Sequence, residues 1–178
     1  RAAGVDSCAL RVLVSRGVGT MSVDPDACRG PLLYAVAYPL VDPPDDWIER
    51  GVRVGLSSIP AKSPFFARIK SCNYLPNALM KAEANRRGRH FVLSLDASGH
   101  LAEGPTESFL LVTDGGELAS PPPDTILAGT TVERVLDLAR SLVADGRLTG
   151  IARRPLTPDD GRRGAERLVI GTRRDGPP

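Results

Sequence analysis

The sequence predicts an α+β fold, on three observations: short β-branched and aromatic runs bounded by turn residues, a long stretch of helical spacing after Gly129, and a second helical stretch beginning near Leu75. Leu10 to Val14 and Leu32 to Tyr38 read as two strands, with Gly17, Gly19, Asp24 and Pro25 in the loop between them. Asp42-Pro43-Pro44-Asp45-Asp46 then interrupts regular structure, because consecutive prolines fix φ and remove donors while the aspartates stay solvated. Residues 42–50 are therefore the expected linker.

Val52 to Ser58 suits another strand, and Pro60 and Pro64 hold the following chain extended. In the helix after Leu75, the residues Leu75, Ala78, Leu79 and Ala82 form the expected apolar face. Lys81, Asn85, Arg86 and Arg87 lie largely opposite, and Gly88 is the stop. Phe91 to Leu95 and Leu101 to Glu103 read as a hairpin, as do Phe109 to Thr113 and Glu117 to Ala119. Val132, Val135, Leu136, Ala139, Leu142 and Val143 keep one helical face, ended by Gly146, and the start of this helix suits a phosphate. The arginine-rich tail from Arg153 onward reads as a compositional bias and not a low-complexity tract, and Arg162, Arg163, Arg167, Arg173 and Arg174 suit a solvated basic face or an altered terminus better than phosphate contacts.

Composition narrows the functional classes. With 42% hydrophobic and 25% charged residues among 178, the chain is expected to be soluble and globular. A net charge of +2, from 23 basic and 21 acidic side chains, gives little field for nucleic acid or anionic lipid. Cys8, Cys28 and Cys72 have no CxxC spacing, and neither they nor His90 and His100 form a metal-ligand pattern. No metal, nucleic-acid or membrane partner is expected, and a reducing compartment fits best. With no initiator Met and no signal-peptide hydrophobic region, the chain reads as a fragment or processed form that is not secreted.

The candidate chemistry centres on a lysine. Lys70 precedes Asn73-Tyr74-Leu75-Pro76-Asn77 and Glu83-Ala84; Ala102-Glu103-Gly104 follows about thirty residues later, and then Asp124-Thr125-Ile126-Leu127-Ala128-Gly129-Thr130-Thr131. Each residue has an ordinary structural alternative. Lys70 can be a solvated charge, Glu103 a surface glutamate at a hairpin end and Tyr74 a core aromatic, while Thr130 or Thr131 can be a simple helix cap.

In order and spacing these strings resemble the fold type IV pyridoxal-phosphate enzymes, which include branched-chain and D-amino-acid transaminases and aminodeoxychorismate lyase. The stretch Ser57-Ser58-Ile59-Pro60-Ala61-Lys62-Ser63-Pro64 looks most like the plant, plastid branch. The resemblance implies the end of a small α+β domain over residues 1–41, the linker, and a larger domain of curved sheet with helices over 51–178, incomplete at both ends. It implies pyridoxal 5'-phosphate as cofactor and Lys70 as the residue that forms the Schiff base and moves the substrate proton. Glu103 would face the ring nitrogen, and Tyr74 would bond the phenolic oxygen. Gly129, Thr130, Thr131 and Thr172 would hold the phosphate.

Arg11 falls where some relatives recognise substrate carboxylate, although an arginine facing solvent from a strand fits equally well. The implied activity is transfer of an amino group between a D-amino or branched-chain amino acid and a 2-oxo acid. A lyase using the same cofactor and a truncated non-catalytic remnant stay open. A homodimeric parent and a plastid location, otherwise cytoplasmic, follow from the same resemblance.

Overall fold

The computed structural model describes residues 8–171, which fall into two compact units dividing between Pro43 and Pro44. In the first, β1 (Cys8–Ser15) pairs antiparallel with β2 (Leu32–Pro39), with Arg11 opposite Val36. The loop between them turns on Gly17 at φ 91°, where a Cβ would sit 1.7 Å from the Gly30 carbonyl oxygen. Only glycine fits there. A 3-10 turn over Pro25–Ala27 is capped by the Asp24 carboxylate, which accepts from the Asp26 N–H at 2.9 Å.

The second unit opens inside the expected linker, where Asp45–Glu49 forms the short helix α1. Pro44 precedes it, and Asp45 and Asp46 in its first turn suit the positive end of the helix dipole. Trp47 on this helix packs on His90 and Phe91, with ring centroids 4.7 and 5.3 Å apart. The strand expected at Val52 to Ser58 is shorter, β3 (Val54–Leu56). The stretch expected to stay extended contains a helical turn, α2 (Pro64–Ala67), with Pro64 at its first position, where a missing N–H is tolerated.

Helix α3 (Leu75–Arg86) forms as expected but buries a different face. Met80, Glu83 and Ala84 point inward, while Leu75 and Leu79 are 68% and 45% exposed. The cause is Glu83. Its carboxylate accepts from the Ser57 hydroxyl at 2.7 Å and the Ser58 N–H at 3.0 Å, and pairs with Arg87 at 2.9 Å. These partners turn a polar position inward, which apolar spacing alone does not reveal. They also hold the carboxyl below the usual carboxylate range, led by the Ser57 bond and opposed by burial.

After α3, β4 (Phe91–Leu93) pairs with β3 in parallel, so β3, α3 and β4 form a crossover unit. The chain then doubles back: Leu95 bridges Leu101, and the Ala102 N–H donates to the Ser94 carbonyl at 3.0 Å. Beyond it come β5 (Ser108–Val112), β6 (Glu117–Ser120), α4 (Thr130–Ala144), β7 (Gly150–Arg153), α5 (Pro158–Arg163) and β8 (Glu166–Ile170). These strands make one sheet in the order β7-β6-β5-β8, with β5 antiparallel to both neighbours and β6 parallel to β7.

Both faces of that sheet are covered. Phe109, Leu111 and Ala119 pack with Leu93, Leu101 and Leu156 on one side. Leu110 and Leu118 pack on the other side against Val132, Leu136 and Ala139 of α4. This explains the unbroken apolar run of β5.

Residues 153–170 carry regular structure and paired charges. The Thr157 hydroxyl and the Asp160 carboxylate cap α5 reciprocally, Arg153 pairs with Glu133 and Arg154 with Glu117, and Arg162 pairs with Asp159.

Replacing Leu110 with Ala is expected to lower the unfolding free energy by about 3 kcal/mol, measured by urea denaturation. Glu83→Gln is expected to destabilise by about 2 kcal/mol at neutral pH. Because the folded pKa of Glu83 is lowered, its stabilisation is present above the unfolded pKa and is lost as pH falls through the folded value. The gap between wild type and Glu83→Gln should therefore shrink on acidification.

Candidate active site

Lys70 lies on the irregular segment between α2 and α3. Tight local closures fix the backbone around it: the Ile69 N–H donates to Phe66 O at 3.2 Å, Ser71 N–H to Ile69 O at 2.8 Å, and Tyr74 N–H to Cys72 O at 2.9 Å. Tyr74 is the N-cap residue of α3, and its carbonyl accepts from the Ala78 N–H at 2.8 Å. Its ring is therefore aimed by the start of a regular helix.

Glu103 is set by the turn-back after β4. Its carbonyl accepts from both the N–H and the hydroxyl of Ser94, at 3.0 and 2.9 Å. Its carboxylate accepts from the Leu127 N–H at 3.3 Å. Burial pushes the carboxyl pKa up, and the Leu127 N–H and the charges of Lys62 and Lys70 oppose the rise. A carboxylate that has lost water without gaining a full set of partners is well matched to a cationic N–H, because such a pairing offsets the burial cost.

The start of α4 has the opposite polarity. Gly129 is its N-cap residue, and no side chain caps the helix, so neither Thr130 nor Thr131 serves as the cap. Helix geometry leaves the first N–H groups of α4 without intrahelical acceptors, and the helix dipole adds positive potential there. A Cβ at Gly129 would lie 3.3 Å from the Ser108 hydroxyl, so glycine keeps this approach open. The donor set fits a phosphate.

Lys70, Tyr74, Glu103, Gly129, Thr130 and Thr131 all line one cleft of about 320 Å³. The cleft thus combines an amine, a phenol, a half-buried carboxylate and an uncapped helix start, which is a donor set that suits pyridoxal phosphate. Arg11 lies on β1 in the first unit, with its guanidinium 5.8 Å from the Tyr38 ring centroid. Thr172 lies outside the described residues, although Ile170 and Gly171 before it line the cleft.

Three further lining residues have no role in the sequence reading: Lys62, Asn77 and Ser108. Lys62 and Asn77 stand within the strings that carry the resemblance, whereas Ser108 has no sequence signal. The Asn77 side-chain amide donates to the Pro105 carbonyl, tying α3 to the turn after Glu103, while its Oδ1 is buried without a partner. Among the described residues, no His, Cys, Asp and Glu group could hold a metal ion, and no helix is long and apolar enough to cross a membrane.

Glu103→Gln is expected to stabilise the cofactor-free chain at neutral pH. With the folded pKa raised, the native state binds more protons than the unfolded state between the two values, so wild-type stability falls as pH rises through that window. Thermal melts should place Glu103→Gln above wild type at pH 7.5 and level with it at pH 4. A variant melting below wild type at pH 7.5 would contradict a desolvation cost at this position.

Known proteins resemble this chain in both sequence and fold. The sequence is 38% identical over 167 residues to the D-amino-acid transaminase, chloroplastic, of Arabidopsis thaliana, covering 92% of this chain and 43% of that protein. The fold superposes on the branched-chain amino acid aminotransferase from Escherichia coli at a TM-score of 0.77 and 27% identity, over 92% of this chain and 52% of that one. The 4-amino-4-deoxychorismate lyase of Pseudomonas aeruginosa gives a TM-score of 0.80 at 25% identity, over 92% and 59% of the two chains. The chain spans about half the length of the curated relatives it matches. Residues 1–176 match the profile of amino-transferase class IV, and with the α+β fold and these relatives in agreement, the chain belongs to that family.

Proposed function

We propose that this chain carries the cofactor site of a pyridoxal-phosphate-dependent aminotransferase, exchanging an amino group between a D-amino or branched-chain amino acid and a 2-oxo acid. The observation that supports it most directly is the meeting of Lys70, Tyr74, Glu103 and the Gly129 to Thr131 turn in one cleft. Bound cofactor supplies an aldehyde and an electron-accepting ring that disperses the charge left when a substrate carbon loses its proton.

The protein's own groups do the rest. Lys70 would be the residue that holds the cofactor through its aldehyde, with loss of water, and its free amine would be the group that moves the substrate proton. Glu103 would keep the ring nitrogen protonated, and Tyr74 would hold the phenolic oxygen. The first amides of α4, with the Thr130 and Thr131 hydroxyls, hold the phosphate, joined by Thr172. Arg11, on the first unit, carries a guanidinium fork of the kind that suits a carboxylate.

The exposed apolar side chains Phe65, Phe66, Leu75 and Leu79 favour assembly of the parent as a homodimer. Likeness to the chloroplastic relative from Arabidopsis favours a plastid location. A second reading, elimination of pyruvate from aminodeoxychorismate at the same lysine, is favoured by the likeness to the Pseudomonas lyase.

Purified protein reconstituted with pyridoxal phosphate is expected to gain a near-visible absorption band that Lys70→Ala abolishes. A colourless wild type would overturn the proposal and favour a non-catalytic remnant. Incubation with D-alanine and 2-oxoglutarate is expected to yield glutamate; pyruvate and 4-aminobenzoate formed only from aminodeoxychorismate would assign the lyase reaction instead.

A further inference from the structure

Lys62 is a second lysine on the cleft that holds Lys70 and Glu103. Its backbone is well anchored. The neighbouring Ala61 N–H donates to the Leu95 carbonyl at 2.9 Å, and Ser57 and Ser58 upstream are fastened to the buried Glu83. Pro60 and Pro64 on either side restrict the chain further.

The ammonium end is much less engaged. It lies 5.9 Å from the Tyr74 ring centroid, at the outer limit of a cation–π contact. Among the described residues it has neither a hydrogen bond nor an ion pair. Glu103 acts on it only from beyond ion-pair distance, and Glu107, the other acid of the cleft, accepts instead from the Thr106 N–H and hydroxyl.

The charges of the cleft then leave Lys62 over. Under the functional reading above, on which this step rests, Lys70 is taken up by the cofactor bond, the start of α4 by the phosphate and Glu103 by the ring nitrogen. The remaining fixed cation faces a space that must admit a carboxylate-bearing molecule. We propose that Lys62 is a specificity-determining residue that binds a carboxylate of the substrate. Three N–H donors on a well-anchored stem suit that partner, and a half-buried location strengthens the bond relative to one in open water.

The test uses glutarate, a dicarboxylate with neither an amino nor an oxo group, titrated calorimetrically into cofactor-loaded wild type, Lys62→Met and Lys62→Arg. Lys62→Met is expected to weaken glutarate about tenfold or more, and Lys62→Arg to return within about threefold of wild type. Pyridoxal phosphate affinity, followed by absorbance, should stay within about twofold of wild type in both variants. In turnover, KM for the 2-oxo acid should rise by more than kcat falls.

Equal glutarate affinity in wild type and Lys62→Met overturns the proposal. Loss of the absorption band in Lys62→Met also overturns it, by assigning Lys62 to the cofactor instead. If wild type takes up no cofactor, the aminotransferase reading fails separately. Glutarate titration of the cofactor-free proteins then decides for Lys62, with weaker binding by Lys62→Met supporting it and equal binding refuting it.

Discussion

Strand β5 is apolar on both faces, and the site depends on the way that strand is covered. Leu110 needs α4 on one side, while Phe109 and Leu111 need the Leu93, Leu101 and Leu156 cluster on the other. Satisfying both sets of contacts fixes two layers relative to one sheet. One layer delivers the start of α4, and the other delivers the turn-back that carries Glu103. The Ser108 hydroxyl, at the head of the same strand, lies near Gly129. The positions of the helix start and the carboxylate are thus consequences of core packing, and neither needs a dedicated loop to hold it.

Two glutamates in this unit show how surroundings divide structural from chemical roles. Glu83 has lost water but gained Ser57, Ser58 and Arg87, so its charge is welcome and its pKa falls. Glu103 has lost water and gained one backbone N–H, so its charge is costly and its pKa rises. A fully partnered buried carboxylate stabilises the fold and has little capacity left for a ligand. A poorly partnered one weakens the fold and retains that capacity.

Much of this was legible in the sequence because the cues were local. The β1 and β2 runs, the hairpin of Phe109 to Thr113 with Glu117 to Ala119 and the α4 spacing depend on neighbours within a few residues, and each appears where the pattern placed it. Lys70, Tyr74, Glu103 and Gly129 were named through resemblance to a family, and they line one cleft. The face of α3 was not legible, since Glu83 turns inward toward Ser57, 26 residues earlier in the chain. Strands β7 and β8 were missed because they are short and carry arginines whose partners lie elsewhere: Arg153 pairs with Glu133, and Arg167 donates to the carbonyls of Gly161 and Arg162. Lys62 was passed over because nothing in its spacing distinguishes an engaged ammonium from a solvated one.

The uncapped start of α4 also couples ligand supply to the persistence of the folded chain. With no side chain to satisfy its first amides, that turn depends on solvent whenever no anion is present, which makes it a natural place for local opening. A ligand that binds only the native state adds RT ln(1 + [L]/Kd) to the unfolding free energy, about 2.7 kcal/mol at a hundredfold excess over Kd. In a cell, that increment sets how often proteases meet an opened molecule. Abundance of the protein would then follow the availability of any phosphate compound that bound there, with no separate regulator required.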